Sequence, residues 1–439
     1  MTGRRVAAAA VLALTACAVP GSDLERETRT LLERKSWPAT SVLVLEGDTV
    51  RLSLGHRTPE GRDSQDLVYP LGSISKMFTA AAIHRLAERG DIDLQAPAST
   101  YLTDWPTAWG AVRVHQLLGH TSGVPDFWFV PEAATLVTDP AARASDLARV
   151  MARMPLQFVP GTRFSYSNTA YQAAARIVER VTAMSYDVFL AREFFTPLGM
   201  TSMHHCRASA EEVTGHVHGG TALHAIAPEN YETARGDGGL CGSARDLARW
   251  FRAIAGGALR RTAAWPGYTS PQRLPDGTAV PYGHGISLRP LAAHRKLGHH
   301  GAMAGHTGTV AWYPERDLVI VVLASIGGVW ADAVEQAIAA RLLGVDAPGP
   351  LEGEPPASHA GRFDVGPFEL EVKRHDHALE LLAPPPGPRG RLVRVAPASY
   401  ALDGDPWGVV LHMDCAGERC ARVRLHMAGM EWPGFRVDR

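Results

Sequence analysis

Ser73 and Lys76 lie three residues apart at the start of a stretch with helical periodicity, just after the turn residues Pro70 and Gly72. Side chains three apart lie on one face of a helix, so this spacing predicts a hydroxyl beside an amine. A serine hydroxyl becomes a strong nucleophile when a base removes its proton, and a lysine amine can be that base where burial or neighbouring charge lowers its pKa. The start of a helix also offers free backbone N–H groups that can stabilise an oxyanion.

Lysine is rare in this chain, which makes the pair of Ser73 and Lys76 informative. The sequence has four lysines among 44 basic side chains. Arginine could not replace Lys76 as a base, because a guanidinium is not deprotonated in proteins. The alternative is an exposed helical lysine beside a capping serine, and the pair alone does not decide between the two interpretations.

Two later segments carry further side chains that are suited to acyl transfer. Tyr166 and Asn168 belong to a Pro-Gly loop that enters an apolar helix, and His299 and Gly301 stand just before a late β-rich run. Together the three segments resemble the Ser-x-x-Lys, Tyr-x-Asn and Lys/His-x-Gly motifs of the serine β-lactamase, DD-peptidase and related esterase superfamily, in the same chain order. Further stretches that resemble this superfamily are 115–123 and 237–248, and the whole resemblance covers residues 25–345.

The resemblance implies a role for each motif. Ser73 attacks an acyl carbonyl and Lys76 accepts its proton, while Tyr166 relays a proton to the leaving group and helps to activate water. Asn168 orients the lysine and contacts the substrate amide. The backbone N–H groups of Ser73 and Ala302 form the oxyanion hole.

The third motif departs from the penicillin-recognising members of the superfamily. Those members carry Lys-Thr-Gly or Lys-Ser-Gly, whereas this chain has His299, His300 and Gly301. Gly301 still lets the strand approach closely. The hydroxyl that binds a substrate carboxylate is absent, however, and an imidazole that is mostly neutral at pH 7 replaces a fixed ammonium. Histidine in the first position is frequent in the esterase and D-aminopeptidase branches, so we expect weak recognition of β-lactams.

The predicted function is a serine hydrolase that forms an acyl-enzyme from an ester or amide, as an esterase, D-aminopeptidase or DD-carboxypeptidase does. Its partner would be a small-molecule or peptide acyl substrate, with peptidoglycan-derived peptides among the candidates, and neither a cofactor nor a metal is expected. The alternative, from another class, is a catalytically silent envelope protein that kept the fold for binding. The intact set of Ser73, Lys76 and Tyr166 favours the enzyme.

The elements that must position these residues follow from hydrophobic periodicity. Predicted helices cover residues 22–35, 74–89, 168–184, 186–195 and 329–343. Predicted strands cover residues 41–46, 49–54, 309–313 and 318–323. Strands at both ends with helices between them imply an antiparallel sheet that the two ends build, flanked by helices and interrupted by a helical subdomain. This is an α/β (α+β) architecture, and the resemblance adds that it is of the β-lactamase/transpeptidase type.

A second folded part follows this domain. Residues 344–357 are rich in proline, glycine and acidic side chains, a composition that is typical of a linker. Short alternating runs after residue 358 then predict a small antiparallel β module, which loosely resembles the lipocalin-like appendages of some related hydrolases. The predicted organisation is a signal peptide (1–16), a tether (17–24), a hydrolase domain (25–345), a linker (346–357) and a β-barrel-like domain (358–439).

The N-terminus predicts export. Arg4 and Arg5 precede an apolar run at 6–14 that is too short to span a bilayer. The residues from Leu14 to Cys17 resemble the bacterial lipobox, in which the cysteine is acylated and becomes the first mature residue. We therefore expect a protein that a lipid holds at the periplasmic or outer face of a membrane in the cell envelope. A plain secretory signal with an incidental cysteine is the alternative.

Four cysteines remain after Cys17, an even number in an exported chain. Cys415 and Cys420 are close enough in sequence to join one hairpin, which would leave Cys206 to pair with Cys241. A zinc site is the weaker alternative, because neither pair has the two-residue spacing of a zinc knuckle.

Composition argues against other classes of function. A formal net charge of −1 provides no basic surface for nucleic acid. The 19 histidines include a group at 204–224 whose spacing matches no metal-ligand pattern, so these are expected to be loop residues. An aromatic group either lines a cleft or packs into the core, with packing expected for at least half of its members. These aromatic residues are Trp105, Trp109, Phe127, Trp128 and Phe129.

Overall fold

The computed structural model describes residues 23–207, 212–219, 222–255, 268–329, 331–345, 354–365, 368–375, 378–384, 388–396, 398–402, 409–416, 419–427 and 430–437. The signal peptide, Cys17 and most of the tether lie outside the described residues, as does most of the linker. The domain boundaries, export and lipidation therefore stay predictions.

The described residues up to 345 contain both helices and strands. The described residues after them form strands and one 3₁₀ turn, Ala357–His359. The α-helices of the described residues are α1 (Asp23–Arg34), α2 (Ser75–Arg89), α3 (Val114–Leu118), α4 (Pro131–Thr138), α5 (Ala144–Met151), α6 (Asn168–Thr182), α7 (Tyr186–Leu190), α8 (Ala244–Ala255) and α9 (Asp332–Leu343). The strands before the barrel are β1 (Thr40–Glu46), β2 (Thr49–His56), β3 (Tyr69–Pro70), β4 (His204–His205), β5 (His216–Gly219), β6 (Ala222–Ala225), β7 (Leu240–Gly242), β8 (Gln272–Arg273), β9 (Ala279–Val280), β10 (Leu297–Met303), β11 (His306–Tyr313) and β12 (Leu318–Ala324). Among the helices of these ranges, none combines the length and apolar character that a membrane crossing requires.

A five-stranded antiparallel sheet in the order β10-β11-β12-β1-β2 joins the two ends of this region. β1 runs against β12, with Thr40 opposite Ala324 and Glu46 opposite Leu318. All of β12 and all but the last residue of β1 are buried, as expected for strands whose two faces are both covered. The prediction that the two ends of the hydrolase region build one sheet is confirmed.

Each face of this sheet has its own helical layer. The helices α1 and α9 cover one face, where Leu32 and Val334 join Val44 in a common core. The inserted helical region between β2 and β10 covers the other face. At its centre lies α2, which is buried over most of its length, and Phe78 on this helix packs against Phe195 and Trp250. Apolar packing on several sides fixes α2 in place as a rigid support for the residues at its start.

Some helix boundaries differ from the prediction for local reasons. The helix α6 ends at Thr182 because Ala183 adopts a left-handed conformation with φ 55°. The predicted helix at 186–195 is α7 followed by a π-helical turn, Ala191–Phe195. Ser73 precedes α2 in the 3₁₀ turn Gly72–Ile74, so the candidate nucleophile stands in a tight turn rather than within the α-helix.

The C-terminal part is a closed antiparallel barrel, which confirms the predicted β module. Its strands are β13 (Gly361–Asp364), β14 (Glu369–His375), β15 (Ala378–Leu382), β16 (Arg389–Ala396), β17 (Ser399–Leu402), β18 (Val410–Ala416), β19 (Arg419–Met427) and β20 (Met430–Arg436). Pairing of β13 with β20 closes the barrel and leaves no unpaired edge. Alternate residues point inward, and Phe363, Leu381 and Leu425 belong to its apolar core.

Two disulfide bonds join the pairs of cysteines that the spacing favours. Cys206 follows β4 and is bonded to Cys241 in β7, and Cys415 is bonded to Cys420 across the β18–β19 hairpin. Cys241 of the first bond lies four residues after Asp237, whose carbonyl oxygen accepts a hydrogen bond from the candidate catalytic lysine.

Candidate active site

The turn that carries Ser73 lies directly against strand β10. Gly72 has φ 52°, and a Cβ atom there would come within 2.6 Å of the backbone nitrogen of Ala302. A Cβ atom on Gly301 would in turn collide with the carbonyl oxygen of Leu71. Only glycine fits at these two positions. This close approach brings the backbone of Ala302 beside the turn of Ser73, as an oxyanion hole made from both residues requires.

Lys76 is fully buried and makes three hydrogen bonds through its amine. Nζ donates to Oγ of Ser73 at 3.0 Å, to Oδ1 of Asn168 at 2.7 Å and to the carbonyl oxygen of Asp237 at 2.7 Å. Burial lowers the pKa of Lys76 to about 8, and the nearby carboxyl groups of Asp237 and Asp126 oppose that shift. A substantial fraction of this amine is therefore neutral near pH 8, within hydrogen-bonding distance of the serine hydroxyl.

Asp126 fixes the orientation of Asn168. Oδ2 of Asp126 accepts hydrogen bonds from the backbone nitrogen of Asn168 at 2.7 Å and from its Nδ2 at 2.8 Å. Oδ1 accepts one from the backbone nitrogen of Trp128 at 2.9 Å. With Nδ2 engaged in this way, the carbonyl oxygen of the Asn168 amide points to Lys76. Burial raises the pKa of Asp126, and the hydrogen bonds from Asn168 and Trp128 oppose it.

Asp237 contributes to the site through its backbone and its charge. Its carbonyl oxygen is the third acceptor for Lys76, while its side chain accepts a hydrogen bond from Nε2 of Gln172 at 3.1 Å. Burial raises the pKa of Asp237, and the neighbouring ammonium of Lys76 opposes this effect. Both buried carboxyl groups beside the lysine thus favour its charged form, against the stronger effect of burial.

Tyr166 completes the group around Ser73. Its hydroxyl is buried and makes no well-aligned hydrogen bond within the described part of the chain. Burial raises the pKa of Tyr166 well above its ordinary value, with Ser73 opposing the shift, so the side chain is a neutral phenol at neutral pH. The ring of His120 lies 4.1 Å from the ring of Tyr166 between centroids, and the tyrosine ring lies 4.9 Å from Nζ of Lys76.

His120 holds the loop that presents Tyr166. It adopts a left-handed conformation with φ 57°, and its Nδ1 accepts a hydrogen bond from the backbone nitrogen of Ser167 at 3.0 Å. Its carbonyl oxygen accepts another from the nitrogen of Ser165 at 2.9 Å. Burial and the positive charge of Lys76 lower the pKa of His120 well below its ordinary value, so Nδ1 keeps its lone pair for this bond.

His299 faces the site as a neutral imidazole. Tyr282 donates its hydroxyl proton to Nε2 of His299 at 2.8 Å, and Nδ1 donates to the carbonyl oxygen of His300. Burial, helped by the charge of Lys76, lowers the pKa of His299 to about 3. This position therefore lacks the fixed positive charge that would hold a substrate carboxylate.

Sequence reasoning missed several residues that support the site, and Asp126 and Tyr282 are the clearest of them. Asp126 precedes a short 3₁₀ turn, Phe127–Phe129, and Asx caps of this kind are common throughout loops. Tyr282 lies in a loop whose sequence carries no motif. Neither residue had a local signal that could separate it from the other acidic or aromatic side chains of the chain.

The aromatic group of 105–129 divides between core and surface. Trp109 and Phe127 are buried, and Trp105 packs against the same core. Trp128 and Phe129 are 44% and 41% exposed, and the ring of Phe129 lies 6.1 Å from that of Phe368 in the barrel. The loop that carries Asp126 thus also contacts the C-terminal barrel.

The histidines of the 204–224 group were expected in loops, but they lie in the short strands β4, β5 and β6. Three of them bond to backbone carbonyl groups. Nδ1 of His204 bonds to the carbonyl of Ser202 at 2.8 Å, and Nε2 of His205 to that of Tyr231 at 3.1 Å. Nδ1 of His216 lies 3.2 Å from the carbonyl oxygen of Ser325. These contacts fix loops and strand edges.

A family model described as Beta-lactamase matches residues 24–344 of the chain. A D-aminopeptidase of Brucella anthropi is 29% identical over 301 residues, which are 65% of this chain and 55% of that protein. Penicillin-binding protein 4* of Bacillus subtilis (strain 168) is 28% identical over 278 residues, which are 59% of this chain and 60% of that protein. The matched region therefore spans less than two thirds of the length of these relatives.

Solved structures share the fold at lower sequence identity. The octameric penicillin-binding protein homologue from Pyrococcus abyssi aligns with a TM-score of 0.66 at 22% identity and covers 94% of this chain and 99% of that one. A D-stereospecific amidohydrolase from Streptomyces sp. aligns with a TM-score of 0.61 at 23% identity and covers 73% of this chain and 99% of that one. The first of these alignments extends beyond the residues that the family model matches.

Proposed function

The chain belongs to the beta-lactamase family, and from this premise we propose that it is a serine hydrolase that forms an acyl-enzyme on Ser73. The hydrogen bonds of Lys76 to Ser73 and Asn168 are the single observation that carries the proposal. They place a buried amine, with a pKa lowered to about 8, against the hydroxyl at the start of a packed helix. Nucleophile and base in direct contact, with the base oriented by a third group, are the general signature of nucleophilic catalysis.

The acylation step uses the groups that surround Ser73. As Oγ of Ser73 attacks the acyl carbonyl, its proton passes to the neutral amine of Lys76, and the backbone N–H groups of Ser73 and Ala302 receive the oxyanion. Collapse of the tetrahedral intermediate breaks the bond to the leaving group. Tyr166 donates its proton to that leaving group and takes one in turn from the ammonium of Lys76.

Deacylation reverses the proton transfers with water as the nucleophile. Water attacks the acyl-enzyme while its proton passes to the hydroxyl oxygen of Tyr166, whose own proton moves to the neutral amine of Lys76. The same oxyanion hole stabilises the second tetrahedral intermediate. The ester bond to Ser73 then breaks, its oxygen regains a proton, and the free acid leaves. The products are one acid and one amine or alcohol.

We propose a small D-aminoacyl amide or ester as the substrate class, in preference to a β-lactam. Two observations support this choice: His299 is neutral, and its strand lacks the hydroxyl that would bind a substrate carboxylate. A relative in sequence is named D-aminopeptidase, and a solved structure with the same fold is named D-stereospecific amidohydrolase. We propose peptides derived from peptidoglycan as the natural source of such D-aminoacyl groups, since this source fits the proposed location in the cell envelope.

Labelling by a fluorophosphonate probe tests the proposed nucleophile. The probe is expected to form one covalent adduct on Ser73 of the purified chain without residues 1–17, and Ser73→Ala is expected to abolish it. Ser53→Ala on the exposed side of β2 is the matched control and should be labelled like the wild type. A wild type that is not labelled, or equal labelling of Ser73→Ala, would support the silent binding protein instead.

A set of chromogenic substrates tests the substrate class. We expect D-alanine p-nitroanilide to be hydrolysed at least about tenfold faster than the L-isomer in terms of kcat/KM, and nitrocefin more slowly than either. Ser73→Ala measured in parallel gives the background of each substrate. Rapid turnover of nitrocefin would show that the loss of the carboxylate-binding hydroxyl does not exclude β-lactams.

The pH dependence of kcat/KM tests Lys76 as the base. Burial lowers the pKa of this lysine to about 8, so its ammonium form dominates below that value and cannot accept a proton. We expect kcat/KM to rise by about tenfold per pH unit below pH 7 and to level off above pH 8. p-Nitrophenyl acetate is the appropriate substrate because it has no titrating group. A flat profile from pH 6 to pH 9 would assign the base to another residue.

We also propose that Cys17 carries a lipid and holds the enzyme at a membrane face outside the cytoplasm. The apolar run at 6–14 and the disulfide bonds of the folded part support export, since such bonds persist in oxidising compartments. Growth of the producing bacterium with an alkyne-tagged fatty acid should label the wild type and leave Cys17→Ser unlabelled. Equal labelling of both proteins would rule out Cys17 as the lipid site.

A further inference from the structure

Two buried histidines face each other behind the nucleophile turn. His84 lies on α2, eight residues after Lys76, and His284 lies in the loop between β9 and β10. Nε2 of His84 is 3.0 Å from Nδ1 of His284, and the rings stack with their centroids 5.1 Å apart. Only 6% and 4% of the two residues are exposed. This contact ties the loop at 282–285 to the helix that carries the candidate base.

The same loop contacts two parts of the active site. At one end, Gly285 lies on the first turns of α2, where an added Cβ would be 2.6 Å from the carbonyl oxygen of Lys76 and 2.8 Å from Cβ of Ala80. At the other end, Tyr282 donates its hydroxyl proton to Nε2 of His299 at 2.8 Å. A displacement of the loop would therefore move Tyr282 away from His299 and would loosen the contact of Gly285 with the helical turn that carries Lys76.

Packing alone does not require imidazoles at these positions. Nδ1 of His84 and Nε2 of His284 have no hydrogen-bond partner among the described residues, so one N–H group stays unsatisfied in either tautomer. A buried unsatisfied donor is destabilising, whereas two apolar side chains would fill the same space without that loss. A hydrogen bond between the rings adds what apolar contacts lack, namely one defined distance and orientation between loop and helix.

Burial keeps both rings neutral. The ring of Tyr268 lies 5.7 Å from that of His84, and His115 on α3 is a further basic group near His284. Burial lowers the pKa of His84 to about 4 and lowers that of His284 well below its ordinary value, with His84 and His115 adding to the second shift. At neutral pH the contact thus has one donor and one acceptor.

We propose that His84 and His284 are positioning residues for the hydrolase: their hydrogen bond sets the place of the loop that orients His299 and supports the turn of Lys76. The inference rests on the proposed function for its kinetic consequences. The pair acts on the site through Tyr282 and Gly285, which lie in the same loop as His284. Removal of the bond should therefore lower kcat and leave KM nearly unchanged.

Paired substitutions test the hydrogen bond separately from the volume of the ring. With p-nitrophenyl acetate, His84→Leu is expected to lower kcat by about 10- to 100-fold with KM within about twofold, because a misplacement of about 1 Å has effects of this size. His84→Gln can place an amide nitrogen near the position of Nε2, and it should retain at least about a third of the wild-type kcat. His359→Leu, which removes a buried histidine of the barrel, should leave kcat unchanged.

Two outcomes would overturn the proposal. If folded His84→Leu keeps the wild-type kcat, or if His84→Gln is as impaired as His84→Leu, the bond between the rings does not position the site. A crystal structure of His84→Leu provides a readout without activity: we expect loss of the bond between Tyr282 and His299, and its retention at 2.8 Å would contradict the proposal. Failure of the fluorophosphonate label on the wild type would refute the proposed function alone, since the crystallographic result does not depend on it.

Discussion

Replacement of Lys76 by arginine is expected to lower kcat/KM for p-nitrophenyl acetate by at least about 1,000-fold. A guanidinium stays protonated at every pH at which the protein is folded, so it cannot take the proton of Ser73. General-base catalysis contributes about 10²- to 10⁴-fold, and the larger head group must also displace Asn168 or the carbonyl of Asp237. The expected loss corresponds to at least about 4 kcal/mol of transition-state stabilisation.

Lys373, one of the four lysines of the chain, provides a matched control for this variant. Lys373→Arg makes the same chemical change on the surface of the barrel, where the side chain forms an exposed ion pair with Glu371. That variant should keep the wild-type kcat/KM, since exposed pairs contribute little. Circular dichroism and thermal unfolding are the measurements that check whether Lys76→Arg is folded. If the folded variant retained more than a tenth of the activity, Lys76 would not be the base.

The core of the fold could be predicted because its signals are local. Strands such as β12, with seven consecutive buried apolar residues, are recognisable from their composition. The pairing of β1 with β12 could be predicted because helical patterns filled most of the sequence between the two groups of strands. The contact between Ser73 and Lys76 needed only a three-residue spacing, which helical geometry converts into proximity.

The remainder of the site depends on contacts between distant segments. Asp126 binds Asn168 across 42 residues, and His120 holds Ser167 across 47. The chain has 45 acidic residues from which Asp126 had to be chosen. Such contacts arise when tertiary packing excludes water and leaves polar groups to find partners, and no residue spacing reports them.

The charges around the nucleophile follow from burial in the same way. Lys76, Asp126 and Asp237 are buried together, so each carboxyl group partly compensates the desolvated ammonium. Burial keeps the imidazoles of His120 and His299 neutral, and the positive charge of Lys76 adds to this effect. Lys76 therefore stands next to the serine with a charge that can change, and its neutral form is the one that can accept a proton.

Tyr166→Phe is expected to lower the activity on some substrates much more than on others, depending on the leaving group. An amine must be protonated to leave, whereas p-nitrophenolate leaves as an anion, so loss of the phenol should affect amides most. We expect kcat/KM for D-alanine p-nitroanilide to fall by about 100- to 1,000-fold, and that for p-nitrophenyl acetate to fall by no more than about tenfold. Since Tyr166 also helps to activate water, mass spectrometry should detect an acyl-enzyme that accumulates on Ser73 during ester turnover.

The melting temperature of Tyr166→Phe distinguishes a role of the phenol in proton transfer from a role in holding the structure together. The hydroxyl of Tyr166 is buried without a well-aligned partner, so its removal should leave the melting temperature unchanged or raise it. Tyr400→Phe in the barrel is the reciprocal control, because its hydroxyl bonds to Nδ1 of His359 at 2.6 Å. That variant should melt at a lower temperature and keep full activity. An equal loss of amide and ester hydrolysis in Tyr166→Phe would mean that the phenol supports the site without donating a proton to the leaving group.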